Sequence, residues 1–484
     1  MQVLFQSSTE GSVPGLGIIP SVIDAFSNED KTVPHMGWNS VHLVDPQCSA
    51  DQGLLDEALH YYFVHSYRAT YDPEREPGAA QWVHSVAQYG GEIFVATVQR
   101  DNVFGCQFHP EKSGDAGLQL LDTWLLREPG LPRSPPSSLP SQRRLPFPPR
   151  PKDGLTKRII ACMDVRTNDQ GDLVVTKGDQ YDVRERTETK AVTVLAGAVR
   201  NLGKPVALAA RYYAAGADEL ALLNITSFRH SPLRDQPMLA VVRAAAATVF
   251  VPLTIGGGIR DTVDPDGTPR SALEVAGAYF RAGADKVSIG SEAVYAVERL
   301  RATSVADGSS AIETIARAYG RQAVVVSVDP RRVYVNDDDD VVAFEGSRKS
   351  EIVRGSAAGE AWWYQCTVKG GREARDLSVV ELAQGVEVLG AGEILLNSID
   401  RDGTGRGFDL DLVNLVRRNV RIPVVASSGA GNVSHFVDVF EKTNVEAALA
   451  AGIFHRGEVQ IDEVKEALTK AGIQSRNASR TAHS

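Results

Sequence analysis

The sequence predicts an α/β protein dominated by a parallel (β/α)8 barrel, and three observations carry that prediction. From Leu155 to about residue 475, short apolar runs of strand length alternate eight times with helix-like segments. The runs are nearly continuous in Val, Ile, Leu and Ala, as in strands buried on both faces. The two halves of the region also echo each other, motif by motif. A doubly wound open sheet is the competing arrangement, but it does not need eight buried strands. Residues 1–127 read as a separate, smaller α/β domain.

In that first domain "EIFVATVQRDNVFGCQF", Glu92–Phe108, reads as two short strands joined by a turn. The amphipathic "GLQLLDTWLLRE", Gly117–Glu128, is expected to close the domain as a helix. Residues 128–154 are so rich in proline that helix and central strand are both forbidden, which predicts an extended, semi-rigid linker. The barrel then takes 155–484. Its eight strand candidates are "RIIACMDV", "ELALLNI", "PLTIGGGI", "KVSIG", "AVVVSVD", "EILLNSID", "PVVASSG" and "AALAAGIF". Helical stretches such as "ALEVAGAYFRAGA" and "SVVELAQGVEVLGAG" lie between them. Two insertions interrupt the repeat, Ser227–Leu239 after the second strand and 331–373 after the fifth. The acidic run Asp337–Asp340 in the latter reads as a solvated hairpin tip rather than a metal site.

At 484 residues the chain is too long for one core, and two or three domains are expected. A net charge of −10 argues against nucleic acid as a partner but not against small phosphorylated ligands, which backbone amides bind locally. Four scattered cysteines exclude a disulfide framework, and no His/Cys cluster has metal-ligand spacing. No apolar run reaches membrane-span length and no signal peptide is visible, so a cytoplasmic protein is expected.

The internal echo is where chemistry enters. Asp164 ends the first strand and Asp329 the fifth; Asn224 in "LLNIT" answers Asn397 in "LLNSIDRDG". The spacings are 60 residues from Asp164 to Asn224 and 68 from Asp329 to Asn397. Active sites of this fold lie at the C-terminal strand ends, where both aspartates fall. Gly-rich turns there let backbone amides approach a phosphate. Gly257 and Gly258 with Gly290 and Ser291 make one such nest; Ser428 and Gly429 with Ala451 and Gly452 make the other. Any one of these glycines could serve only a tight turn. Four turns at symmetric positions point instead to an elongated ligand phosphorylated at both ends, with an acid and a base between. At the strand starts, Arg158, Glu219, Lys286 and Glu393 read by themselves as a stabilising ion-pair network on strands one, two, three or four, and six. In the first domain, His109 and Glu111 form the base-and-orienter half of a nucleophilic triad.

These motifs resemble the imidazole glycerol phosphate synthase family of histidine biosynthesis, in its eukaryotic-type fused form. There a class I glutamine amidotransferase domain (flavodoxin-like α/β) precedes a cyclase barrel. "RIIACMDV", "VVTKGDQ", "GADELALLNIT", "TIGGGIRD", "GADKVSIGSEAV", "VVVSVDPRRVYV", "GAGEILLNSIDRDGTGRGFD" and "VVASSGAGNVSHF" carry the barrel match, and "VPHMGWNSV", "YYFVHSY" and "GCQFHPEKSG" the amidotransferase match. The resemblance implies that Asp164 and Asp329 are the cyclase acid/base pair and that Lys177 is a mobile-loop lysine closing over substrate. It implies that Asn224, Gly257, Gly258, Gly290 and Ser291 contact one half of the ligand, and Asn397, Asp402, Gly403, Ser428, Gly429, Ala451 and Gly452 the other. The four charges at the strand starts become a gate for ammonia. The implied substrate is a phosphoribulosyl-formimino derivative of aminoimidazole carboxamide ribotide, bearing two phosphates. Ammonia, normally from glutamine, closes the imidazole ring and releases the carboxamide ribotide. No metal or redox cofactor is implied, and the fused chain is expected to act as a monomer.

One expected part is not found. The family nucleophile sits in G-x-C-x-G, which by alignment falls three residues before Met1, so the chain is expected to open in the helix after that elbow. Cys48 and Cys106 lack that context, and Cys106 reads as a small packed hydrophobe. The glutaminase half, with its early strands and oxyanion loop also lacking, is therefore expected to be inactive. Two alternatives stand beside the cyclase: the phosphoribosylformimino isomerase of the same pathway, which needs no ammonia, and a non-catalytic phosphate-ligand-binding scaffold.

Overall fold

A computed structural model describes residues 1–11, 13–44, 54–126, 155–167, 173–176, 205–225, 237–264, 266–335, 351–355 and 360–476. The chain forms two compact units, Met1–Lys157 with the segment from Gln474, and Arg158–Ile473. The N-terminal stretch of the first unit ends at Lys157. Leu155 packs into the apolar core of the first unit, and Thr156 donates its backbone N–H to the Trp38 carbonyl at 3.0 Å. The expected linker 128–154 and the acidic run Asp337–Asp340 lie outside the described residues.

The second unit is a closed barrel. Its strands are β1 (Arg158–Thr167), β2 (Glu219–Asn224), β3 (Leu253–Gly256), β4 (Lys286–Ile289), β5 (Val324–Val328), β6 (Glu393–Asn397), β7 (Val424–Ser427) and β8 (Ala447–Ala450). Each pairs in parallel with the next, and β8 pairs with β1 to close the cylinder. All eight expected runs are strands. Helices return the chain between them, and Ser271, Ser310 and Ser378 each open one with a capping box to the glutamate three residues on. Both half-barrels extend antiparallel strands just past the aspartate. Leu173–Thr176 pairs back on β1. After β5, Pro330–Val335, Val353–Arg354, Ala361–Val368 and Glu373–Ser378 form a four-stranded antiparallel sheet.

The first unit is built from small sheets and the 12-residue helix Gly114–Leu125. Among its described strands only Phe5–Ser8 and Ile19–Ala25 pair in parallel. The expected opening helix is a single 3-10 turn, Gln2–Leu4, after which the chain enters that strand. Phe5 is buried and Gln6 is not, the alternation of a half-buried strand. The two predicted strands are present as Glu92–Arg100 and Val103–Cys106. Among the described residues no helix is long and apolar enough to cross a membrane.

Candidate active site

Strand alternation stacks the barrel's functional residues on its inner face. Ile160, Cys162, Ala221, Val325, Leu395, Val425, Ala447 and Leu449 form one interior apolar cluster. With a period of two, Arg158 and Asp164 flank the β1 pair, Glu219 precedes Ala221, and Glu393 and Asn397 flank Leu395. Charges at the bottom and candidate catalytic groups at the top therefore face one apolar interior. Arg158 and Asp164 are separated by roughly 20 Å of strand.

At the top, Asp164 sits in β1 opposite Leu223 and Thr176, and Asp329 directly follows β5. Strands one and five of a closed eight-strand barrel lie across from each other, so the two carboxylates stand on opposite walls. Asn397, at the end of β6, donates its side-chain N–H to Asp329 Oδ1 at 2.8 Å and to Ser327 Oγ at 3.0 Å. Asn397, a candidate ligand contact, thus also supports the aspartate. Enclosure pushes the Asp329 pKa up, the Asn397 bond pulls it down and the Asp402 charge raises it; the net shift is upward. Asn224 ends β2, and the Tyr279 hydroxyl is its hydrogen-bond partner.

Gly257 and Gly258 leave β3 at φ +91° and +77°, a conformation that favours glycine. Gly290 links β4 to the 13-residue helix Ser291–Thr303, and a Cβ there would meet nothing within 4 Å. That is an open cradle at a helix N-terminus. Across the barrel, Ser428 takes φ +74° without being glycine, and Gly429 takes +95°. The Gly407 amide donates to the Gly429 carbonyl at 2.8 Å, binding the Asp402–Gly403 loop to that nest. Ala451 precedes the short helix Gly452–His455. Lys177 lies outside the described residues.

At the bottom, the four charges form a closed alternating ring on β1, β2, β4 and β6. Arg158 donates to Glu219 at 2.8 Å and to Glu393. Lys286 reaches both glutamates at 2.6 Å. All four side chains are at most 2 % exposed. Burial raises the Glu393 pKa, but the two cations outweigh it and hold the carboxyl below its usual range.

In the first unit, His109 Nδ1 meets Glu111 Oε1 at 2.9 Å, both half-exposed. Partial burial raises the Glu111 pKa, but the His109 bond outweighs it and lowers it overall. Cys106 packs against the apolar core, and burial pushes its thiol up to about 12. Burial also raises Cys162 and Cys366, so the described cysteines are thiols, not thiolates. Cys48 lies outside the described residues.

Two features escaped sequence reading. His35 and His65 sit opposite each other in paired strands, Nδ1 to Nε2 at 3.1 Å, fully enclosed. Arg332, Tyr364 and Asp409 form a buried polar cluster beside the mouth. The paired strands fall 30 residues apart and the cluster spans 77, distances over which periodicity gives no signal.

Comparison with known proteins finds matches to both parts of the chain. The histidine biosynthesis protein family matches residues 158–460, and the class-I glutamine amidotransferase family matches residues 1–127. An imidazole glycerol phosphate synthase hisHF of Emericella nidulans is 53% identical over 98% of this chain and 83% of its own length. A chloroplastic hisHF of Arabidopsis thaliana is 52% identical over 98% of this chain and 76% of its own. The synthase subunit HisF of Natronomonas pharaonis is 39% identical over 66% of this chain and 99% of its own.

Proposed function

The chain belongs to the fused imidazole glycerol phosphate synthase family of histidine biosynthesis, and on that premise we propose that its barrel closes an imidazole ring on a bisphosphorylated open-chain substrate. The substrate lies across the mouth with a phosphate in each Gly-rich nest. Gly257, Gly258, Gly290 and Ser291 hold one end; Gly403, Ser428, Gly429, Ala451 and Gly452 hold the other. Lys177 closes over it. Ammonia condenses at the ribulosyl carbonyl with loss of water, then attacks the formimino carbon. The ring closes and aminoimidazole carboxamide ribotide leaves.

Asp329, whose pKa its enclosure shifts upward, is the acid that delivers a proton to the departing oxygen or nitrogen. Asp164, on the facing wall, is the base that takes the protons ammonia sheds. The single observation that carries this assignment is the pair of carboxylates on opposite walls of the barrel mouth, between two sets of Gly-rich turns. Ammonia reaches them along the apolar interior after one of the bridges in the Arg158–Glu219–Lys286–Glu393 ring opens. His109, oriented by Glu111, is the base half of the glutaminase site. The chain acts as a monomer, and the free thiols of Cys106, Cys162 and Cys366 suit a reducing compartment such as the cytoplasm.

The test is steady-state cyclisation of the bisphosphorylated substrate by the purified chain with ammonium salt or glutamine as nitrogen donor. Turnover with ammonium and not with glutamine is expected, because none of the described cysteines, Cys106, Cys162 and Cys366, sits in the G-x-C-x-G context of the family nucleophile. Turnover of the unrearranged precursor without ammonia would indicate the isomerase, and no turnover with either donor would indicate a binding scaffold.

A further inference from the structure

The Asp409 carboxylate is 1 % exposed, yet donors surround it from several elements. Arg332 approaches side-on, Nη2 to Oδ1 at 2.7 Å and Nε to Oδ2 at 3.2 Å. Tyr364 donates its hydroxyl to Oδ1 at 2.9 Å and Ser398 donates to Oδ2 at 3.2 Å. The Leu412 amide, in the first turn of helix Leu410–Arg417, completes the shell. Arg332 is also stacked on Trp362, its Cζ 4.3 Å from the ring centroid. A planar guanidinium bonded at two points and held against an indole face has little freedom left.

What distinguishes this cluster is where its members lead. Arg332 lies on the strand that begins right after Asp329, and its backbone N–H donates to Asp400 Oδ2 at 2.8 Å. Tyr364 shares a strand with Thr367, whose hydroxyl donates to the Asp329 carbonyl at 2.6 Å. Ser398 and Asp409 bound the loop that carries Asp402 and Gly403. The Ile399 amide in that loop donates to the Pro330 carbonyl at 3.3 Å. The sheet after β5 and the loop after β6 are thus fastened together beside Asp329 by the Arg332–Asp409 ion pair and the hydrogen bonds around it.

We propose that Arg332 and Tyr364, acting through Asp409, are positioning residues that hold loop 398–409 so that Asp402 and Gly403 face the ligand next to Asp329. The inference rests on the cyclase reading of the mouth. The loop crosses from β6 towards the β7 nest and is closed by no strand pairing of its own. Its six residues from Arg401 to Arg406 are mostly exposed, so their placement depends on what anchors the two ends, together with the Gly407 bond to the Gly429 carbonyl. Asp409 anchors one end and Ser398 the other, and both are bonded to each other across the loop's base.

The experiment uses the full chain and three variants: Tyr364→Phe, which keeps the ring and removes one donor, Arg332→Lys, which keeps charge without the two-point contact, and Arg332→Met. Hydrogen exchange read by mass spectrometry is expected to quicken about tenfold in peptides covering 398–409, while peptides of β1–β8 stay unchanged. KM for the bisphosphorylated substrate with ammonium as donor is expected to rise about tenfold in Tyr364→Phe, and more in Arg332→Met than in Arg332→Lys. If Arg332→Met does not fold, Tyr364→Phe carries both readings. Faster loop exchange with unchanged kinetic constants would reduce the cluster to a structural role and overturn the proposal; unchanged loop exchange would overturn it outright. A wild-type chain that turns over no substrate would count against the cyclase reading, while the exchange comparison would still decide the clamp.

Discussion

Asn397 donates its side-chain N–H to the Asp329 carboxylate at 2.8 Å, so the residue ending β6 tunes the group that follows β5. That bond favours the ionised form and opposes the enclosure and the Asp402 charge, which favour the protonated one. Asn397→Leu removes the donor, so the Asp329 pKa is expected to climb further. With Asp329 as acid, the high-pH limb of the kcat/KM profile should move to higher pH. A limb that moves to lower pH would show that Asp329 is not the proton donor.

The ring at the barrel bottom balances two cations against two carboxylates. Glu393→Gln leaves Arg158 and Lys286 facing Glu219 alone, and breaking such a buried pair is expected to cost about 3–5 kcal/mol in denaturant unfolding. The folded pKa of Glu393 is depressed. Its contribution is therefore full above the unfolded glutamate pKa and lost as pH falls through the folded value. The variant should show a shallower acid-side loss of stability than the parent. Equal slopes would mean that the ring does not hold Glu393 ionised.

His35 and His65 give the first unit an acid sensitivity of opposite origin. Asn39 donates to His35 Nε2, His35 Nδ1–H to His65 Nε2, and His65 Nδ1–H to the Tyr67 carbonyl, a relay that needs both rings neutral. Burial holds His65 down to about 3, and burial with the neighbouring His65 holds His35 well below its ordinary value. The unfolded chain protonates them near pH 6.5, so stability falls with pH below that point, by up to about 1.4 kcal/mol per pH unit for each ring. His65→Phe should flatten that slope, measured by exchange of His60–His65 between pH 7 and 4. An unaltered slope would contradict a neutral pair.

Two glycines of the nests predict opposite outcomes for folding. A Cβ on Gly429 would lie 2.3 Å from the Gly407 carbonyl oxygen, at a φ of +95°. Gly429→Ala should therefore lower stability by roughly 1–3 kcal/mol and also weaken substrate binding. A Cβ on Gly290 meets no protein atom within 4 Å. Gly290→Ala should melt like the parent yet raise KM about tenfold, since the methyl fills the space offered to a phosphate. An unchanged KM would remove Gly290 from the site.

Much of this was legible in the sequence for a physical reason. Strands buried on both faces have no polar alternation to blur them, so β1–β8 stand out as apolar runs, and the echo between the two halves marks the ends that carry Asp164 and Asp329. The strand starts at Arg158, Glu219, Lys286 and Glu393 were visible as charges beside apolar runs, with only Lys286 left between strands three and four; it begins β4. Contacts that depend on tertiary pairing were not visible. Asn397 reads as a polar strand end facing substrate, and only the neighbouring β5 shows that Asp329 takes its hydrogen bond. The opening residues read as helix by analogy with a family pattern, whereas Phe5 is drawn into a sheet by burial.

Asp329 and Asp164 are proposed to act as acid and base across the barrel mouth. The most direct measurement is single-turnover cyclisation with saturating ammonium by Asp329→Asn and Asp164→Asn, alongside substrate binding by calorimetry. Losses of about 10²–10⁴-fold in the chemical step are expected for each variant, with binding of the bisphosphorylated substrate kept within a few-fold of the parent. Retention of the parental rate by either variant would contradict that assignment.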